Sequence, residues 1–213
     1  SETNATARLD VASRNVKAPL LTTIRDHAAL LNTPLRPGIA SASNGKTSHT
    51  RLSRNALGPS GAALLGEALV TNNTLQVLEL EDCELVGSAY RPQYDGIKSL
   101  AKGFESVRST LRSLNLANNS LQPTGCRIVL GALSFHKTLA VLDLSGNMLT
   151  LFSDKEGLST LTIDDNPLPS ASWKLLRDTF ASSTTLTSLS ALRCNVPIEE
   201  LPVLPHQTPA SPS

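Results

Sequence analysis

The side chains best suited by type to do chemistry are few, and their spacing withholds most of the chemistry they suggest. Residues Ala40–Thr47 (ASASNGKT) approach a phosphate-cradling loop. Such a loop needs a strand before it and a helix directly after it, so that backbone N–H groups converge on the phosphates. Here Ala40 stands where the first glycine belongs, and a strand-like segment, Thr50–Ser53, follows. Asp164-Asp165-Asn166 offers oxygen donors of the kind calcium accepts, but the triplet falls where a strand ends and turns. His27, His49, His136 and His206 are scattered, with no zinc-site spacing to a cysteine. No Gly-x-Ser-x-Gly nucleophile motif occurs. Cys83, Cys126 and Cys194 do not make an even disulfide framework, and each falls where a small buried side chain is expected. Reduced thiols in a cytoplasmic or nuclear setting follow. The expectation is a non-enzymatic chain with no catalytic residue, no metal and no cofactor.

What the chain does carry is a repeat. The pattern Leu-x-x-Leu-x-Leu-x-x-Asn/Cys-x-Leu, or a close variant, recurs along it, most clearly as LQVLELEDCEL from Leu75, LRSLNLANNSL from Leu111, LAVLDLSGNML from Leu139 and LSTLTIDDNPL from Leu158. This is the signature of a leucine-rich-repeat solenoid. The Asn/Cys landmarks are Asn55, Cys83, Asn119, Asn147, Asn166 and Cys194, spaced by 28, 36, 28, 19 and 28 residues. The recurring 28 implies helix-bearing repeats. The 36 is a 28 lengthened by the insertion Ser88–Asp95 (SAYRPQYD), and the 19 is a 28 without its helix.

A second register tests the first. One helix face should be apolar at i, i+3 or i+4, and i+7. The sets Ala62/Leu65/Leu69, Cys126/Val129/Leu133 and Trp173/Leu176/Phe180 sit at matching offsets from Leu57, Leu121 and Leu168, and Ile97/Leu100/Phe104 resume the pattern after the insertion. The single Trp, Trp173, is therefore expected in the core. The same offsets place a first repeat over Arg8–Ala12 with a helix through Leu21, Ile24 and Ala28. The predicted fold is α/β: a right-handed solenoid of about seven repeats, with a curved parallel sheet inside and helices outside. Residues 1–204 form this domain, with loop insertions at 34–48 and 88–95, and 205–213 form a disordered Pro-rich tail.

Alternation along each strand leaves one surface exposed. Three columns follow in successive repeats: Asp10, Arg51, Glu79, Asn115, Asp143, Thr162, Ser190; then Ala12, Ser53, Glu81, Ala117, Ser145, Asp164, Leu192; then Ser13, Arg54, Asp82, Asn118, Gly146, Asp165, Arg193. The candidate partner-binding residues on this concave face are Arg51, Glu79, Glu81, Asp82, Asn115, Asp143, Asp164 and Asp165. They suggest a groove for a basic segment, against ordinary solvated strand surface as the alternative. In the insertion, Tyr90, Arg91 and Tyr94 are candidate contacts, because Tyr and Arg are enriched at binding hot spots, against packing that anchors the loop as the alternative.

With 40% hydrophobic but only 3% aromatic residues, the core must be Leu, Val and Ala. A net charge of +1 suggests neither nucleic acid nor a membrane surface as partner, and no apolar run approaches a spanning helix. The expected partner is another protein, met by a monomeric intracellular module. Ser1 in place of Met, without a leader in SETNATARLD, is expected of a processed chain or a piece of a longer one.

The 28-residue spacing and NALGPSGAALLGEAL (Asn55–Leu69) resemble the ribonuclease-inhibitor-like leucine-rich repeats over about Thr50–Val196. More narrowly, APLLTTIRDHAALLN (Ala18–Asn32), LSRNALG and LEDCELVGS resemble the C-terminal repeat array of Tonsoku-like replication-repair scaffolds, although the short fourth repeat and the Pro-rich end depart from it. Either resemblance implies protein binding rather than chemistry. Two alternatives belong to the same superfamily: a Ran-type GTPase-activating module, with Arg51 or Arg54 as the candidates, and a cytoskeletal, centrosomal or ciliary structural component.

Overall fold

The computed structural model describes residues 8–10, 48–107, 110–134, 136–150 and 157–195. Seven three-residue strands form one parallel sheet in chain order: β1 (Arg8–Asp10), β2 (His49–Arg51), β3 (Val77–Glu79), β4 (Ser113–Asn115), β5 (Val141–Asp143), β6 (Thr160–Thr162) and β7 (Ser188–Ser190). Four helices lie between strands: α1 (Gly58–Val70), α2 (Asp95–Ser106), α3 (Gln122–Leu133) and α4 (Ser170–Ser182). The order is that of an open α/β solenoid. The first-repeat helix, the 34–48 loop up to residue 47, most of the 151–157 link and the C-terminal tail lie outside the described residues.

Both registers read from the sequence meet in one core. Leu78, Leu114, Leu142 and Leu161 point inward from the strands, Leu80, Leu116, Leu144 and Ile163 follow two residues on, and all are fully buried. Ala62, Leu65 and Leu69 face them from α1, Ile97, Leu100 and Phe104 from α2, and Cys126, Val129 and Leu133 from α3. Trp173 and Leu176 do the same from α4, and the Trp173 indole N–H donates to the Cys194 carbonyl at 3.4 Å. Burying each such side chain stabilises the fold by about 1.5–3 kcal/mol.

The first three of these helices start without side-chain caps. Pro59 and Pro123 occupy the first turns of α1 and α3, where a missing N–H costs nothing. The N–H groups just ahead of those turns are accepted by the following repeat: Gly58 donates to the Cys83 carbonyl at 3.2 Å and Gln122 to the Asn147 carbonyl at 2.9 Å. Between α1 and α2 the backbones nearly touch. A Cβ added to Gly66 would lie 2.3 Å from the Ser99 carbonyl carbon, and the Ser99 hydroxyl donates to the Ala63 carbonyl at 2.9 Å.

The turn that ends each strand is built on the asparagine. Asn147 Nδ2 donates to the carbonyls of Leu144 and Ser145 in its own turn, both at 3.1 Å, and to Leu116 of the preceding repeat at 2.8 Å. Its Oδ1 accepts from the N–H groups of Asn119 at 3.0 Å and Leu121 at 3.2 Å. Asn119 reaches back to Leu80 and Cys83 in the same way, and Asn166 to Leu144, Asn147 and Leu149. Each amide thus satisfies backbone groups of two repeats that no water reaches. At Cys83 and Cys194 a thiol takes the site. It donates to the preceding repeat, at Leu52 (3.2 Å) and Ile163 (3.0 Å), but cannot take over the amide oxygen's role toward that repeat's N–H groups. Where Asn147 receives Leu121, Cys83 leaves Leu57 N–H to its own carbonyl at 3.1 Å.

Asn147→Ala is expected to destabilise the chain by about 3 kcal/mol, because it leaves buried donors and acceptors unmet. Asn147→Cys, the solution used at positions 83 and 194, is expected to cost roughly half as much. Urea unfolding of the three proteins side by side measures the difference.

Candidate functional site

The registers align the first exposed column without a slip: Asp10, Arg51, Glu79, Asn115, Asp143, Thr162 and Ser190 are each paired to the next across the sheet. All eight candidates on this face come from β2 to β6 or from the turn just beyond them. The structure brings them onto one surface but does not leave them as free charges. Arg51 Nε lies 2.7 Å from Glu79 Oε1, and Arg54 Nη2 lies 3.7 Å from Glu81 Oε1. At the other end Arg193 holds Asp165 through two nitrogens, with Nε 2.5 Å from Oδ1. Arg193 lowers the Asp165 pKa, chiefly by hydrogen bonding, and its own pKa is raised in return. Asp164 Oδ1 accepts from the Ser190 hydroxyl at 2.7 Å and the Leu192 N–H at 2.8 Å, which ties β6 to the final turn.

The middle of the face differs. Asn115 Oδ1 accepts from Ala117 N–H at 2.9 Å, and Asp143 Oδ1 accepts from the Ser145 N–H at 2.9 Å and its hydroxyl at 2.6 Å. The neighbouring positions are small: Ala117, Ser145 and Gly146. The β2 end of the ribbon is therefore self-paired, the far end pairs Asp165 but leaves Asp164 on neutral donors, and the centre is small, polar and acidic.

The third column has a backbone cause that charge alone does not reveal. Arg54, Asp82, Asn118, Gly146, Asp165 and Arg193 all adopt left-handed backbone, with φ from 53° to 63°. Their N–H groups continue the ladder one step past the strands, as when Asp82 donates to the Ala117 carbonyl at 2.9 Å. Gly, Asn and Asp tolerate this conformation best. Two of the acidic candidates, Asp82 and Asp165, thus occupy positions whose residue type the turn already favours. The signal was available: the residue before each Asn/Cys landmark is rich in Asp, Asn and Gly.

The insertion divides its three candidates. Tyr94 packs against the core, its ring so close to Gly125 that an added Cβ there would stand 3.3 Å from Cε1. Gln122 Nε2 donates to the Ala89 carbonyl and ties the insertion to the next repeat. Tyr90, at the turn, is 96% exposed, and Arg91 beside it is exposed. It rises from the edge where the strands end, the edge that carries the left-handed column.

Little else on the chain offers chemistry. Among the described residues no group of three or more His, Cys, Asp or Glu is arranged to hold a metal, and no helix is long and apolar enough to cross a membrane. Cys83, Cys126 and Cys194 are free and buried. Burial pushes the Cys83 and Cys126 thiols up to about 12, and raises Cys194 for the same first reason. These are packing residues, not nucleophiles.

Comparison with known proteins agrees with the geometry. A family model described as "Leucine Rich repeat" matches residues 108–127. A mouse protein, "NACHT, LRR and PYD domains-containing protein 14", is 32% identical over 143 residues. That match takes in 57% of this chain and only 14% of the relative's length. The repeat signature and the parallel ribbon agree with these similarities to leucine-rich-repeat proteins.

Two outcomes are expected. Asp82→Asn leaves the thermal midpoint unchanged, whereas Asp82→Val, with a branched side chain in left-handed backbone, costs about 1–2 kcal/mol. Native protein at about pH 8 reacts with a thiol reagent at Cys83 and Cys126 only as fast as it unfolds. A thiol pKa raised by folding favours the folded state fully below the unfolded value of 9.0, and the advantage fades as pH climbs toward about 12. The midpoint should therefore begin to fall above pH 9.0, which a melting series over pH checks.

Proposed function

We propose that this solenoid is a non-catalytic protein-interaction module of a larger intracellular scaffold, and that a partner carrying a basic segment docks on the open face of its sheet. The observation that carries this reading is the charge distribution across the registered columns. Both arginines at the β2 end are held by glutamates, while Asp82, Asp143 and Asp164 have no salt-bridge partner among the described residues. The face thus presents net negative charge from its centre onward. The frame beneath is fixed by the asparagine turns, so that little ordering cost is paid on association. Tyr90 adds a large exposed side chain at the rim, suited to a second contact.

Three free buried thiols support a reducing compartment. The mouse relative carries, by its name, NACHT and PYD domains beside its repeats, which supports a module within a longer protein. The likeness of residues 18–32 to the Tonsoku-like array supports a replication-repair setting for that protein. The GTPase-activating alternative draws no support from Arg51, since a guanidinium 2.7 Å from a carboxylate is not offered to a phosphate.

A photo-cross-linker at Asn115 is expected to capture a partner protein in cells where one at Lys102, on the helical side, captures none. Combining Asp143→Lys with Asp82→Asn should weaken the captured partner's affinity about tenfold and flatten its salt dependence. Equal capture at both positions, or unchanged affinity in calorimetry, would count against the open face.

A further inference from the structure

Asn115 and Asp143 are register partners on adjacent strands, and each has one of its two polar atoms already committed. Asn115 Oδ1 is pinned by Ala117 N–H, and Asp143 Oδ1 by the Ser145 N–H and hydroxyl. Only an oxygen accepts from an N–H, so the amide orientation of Asn115 is settled by its partner. What remains is the Asn115 Nδ2 donor and the Asp143 Oδ2 acceptor, neither with another partner among the described residues. Strands are about 4.8 Å apart, so a fixed donor and a fixed acceptor stand side by side. An extended chain presents the N–H and C=O of one residue on one side, the pair that neighbouring antiparallel strands exchange. Beside the fork Ala117 is small and buried, and the Asn118 side-chain oxygen fills the space that an added Gly146 Cβ would take, so the approach of a main chain lies over Ala117.

We infer that this pair reads the main chain of an extended peptide: Asn115 donates to a partner carbonyl, Asp143 accepts from the N–H of the same partner residue. The charge left on Asp143, with Asp82 on the adjoining turn, selects segments that carry Lys or Arg next to that residue. The inference rests on the docking face proposed above and names how its centre recognises the partner. Affinity comes from the backbone and is indifferent to most side chains. Selectivity comes from the cationic flank and from the need for an unstructured segment, since a helix has no free backbone groups to offer.

Random displayed dodecapeptides selected on the immobilised chain supply the probe, and the enriched peptides are then synthesised. They are expected to carry Lys or Arg and to cross-link to a benzophenone placed at Ser145. Asp143→Asn exchanges only the outward atom and keeps the inward Oδ1, so its melting midpoint is unchanged, whereas Asn115→Asp also sets a second carboxylate opposite Asp143 and lowers the midpoint while keeping the fold. Each should weaken binding by about tenfold. N-methylation of one peptide amide should weaken it comparably. Peptides that cross-link at Ser145 but bind both variants and every N-methylated form equally would overturn main-chain recognition and leave open-face docking standing. Peptides that never cross-link there, or a selection that enriches nothing, would overturn both.

Discussion

A buried side-chain amide that bonds two repeats at once is the constraint on which this molecule depends. The strands are only three residues long. Three residues cannot hold a sheet in register by their own hydrogen bonds. The asparagines supply what the strands lack. Each takes carbonyls from its own turn and from the preceding repeat, and gives an oxygen to that repeat's N–H groups. The register of the exposed columns follows from this, because a slip of one residue would leave every rung unmet. The left-handed residue before each rung follows too. It is a costly conformation that persists because the bonds on both sides over-determine it.

The same arrangement explains how two rungs can be cysteine. A thiol keeps the donor half of the amide's work and gives up the acceptor half. The N–H groups so released turn to backbone carbonyls or to the shared turn. Cys83 precedes the lengthened stretch of insertion and helix that separates it from Asn119, and Cys194 lies in the turn after the last described strand. Both therefore stand where the regular 28-residue spacing meets an irregularity or an end. Both are also the points at which adjacent repeats are held by fewer bonds.

Among the described residues the perturbed thiols are shifted away from reactivity by burial, and the perturbed carboxylate is exposed and matched to an arginine. Self-pairing at the β2 end of the ribbon leaves the uncompensated negative charge to its middle and far end. There the side chains are short and their geometry is fixed by contacts with their own turns. Fixed polar atoms on a rigid sheet lose little freedom when a partner arrives.

Among the described residues the leucine spine, the helix faces and the rungs were legible in the chain, because inward residues at constant offsets admit one stacked arrangement; Phe180 and the first-repeat face of Leu21, Ile24 and Ala28 lie outside what is described. Trp173 and the three buried cysteines followed from the same offsets. Charge was legible only as sign. Glu79 and Glu81 read as part of an acidic groove, and the stacked sheet paired them with Arg51 and Arg54 from the neighbouring strand. Tyr90 and Tyr94 read alike, four residues apart, and packing against Gly125 took one and left the other in solvent. The sequence by itself determined which residues turn inward, since burial answers to periodicity. Only the tertiary structure decided which outward residues satisfy each other, since that depends on neighbours 28 residues away brought to within hydrogen-bond distance across the sheet.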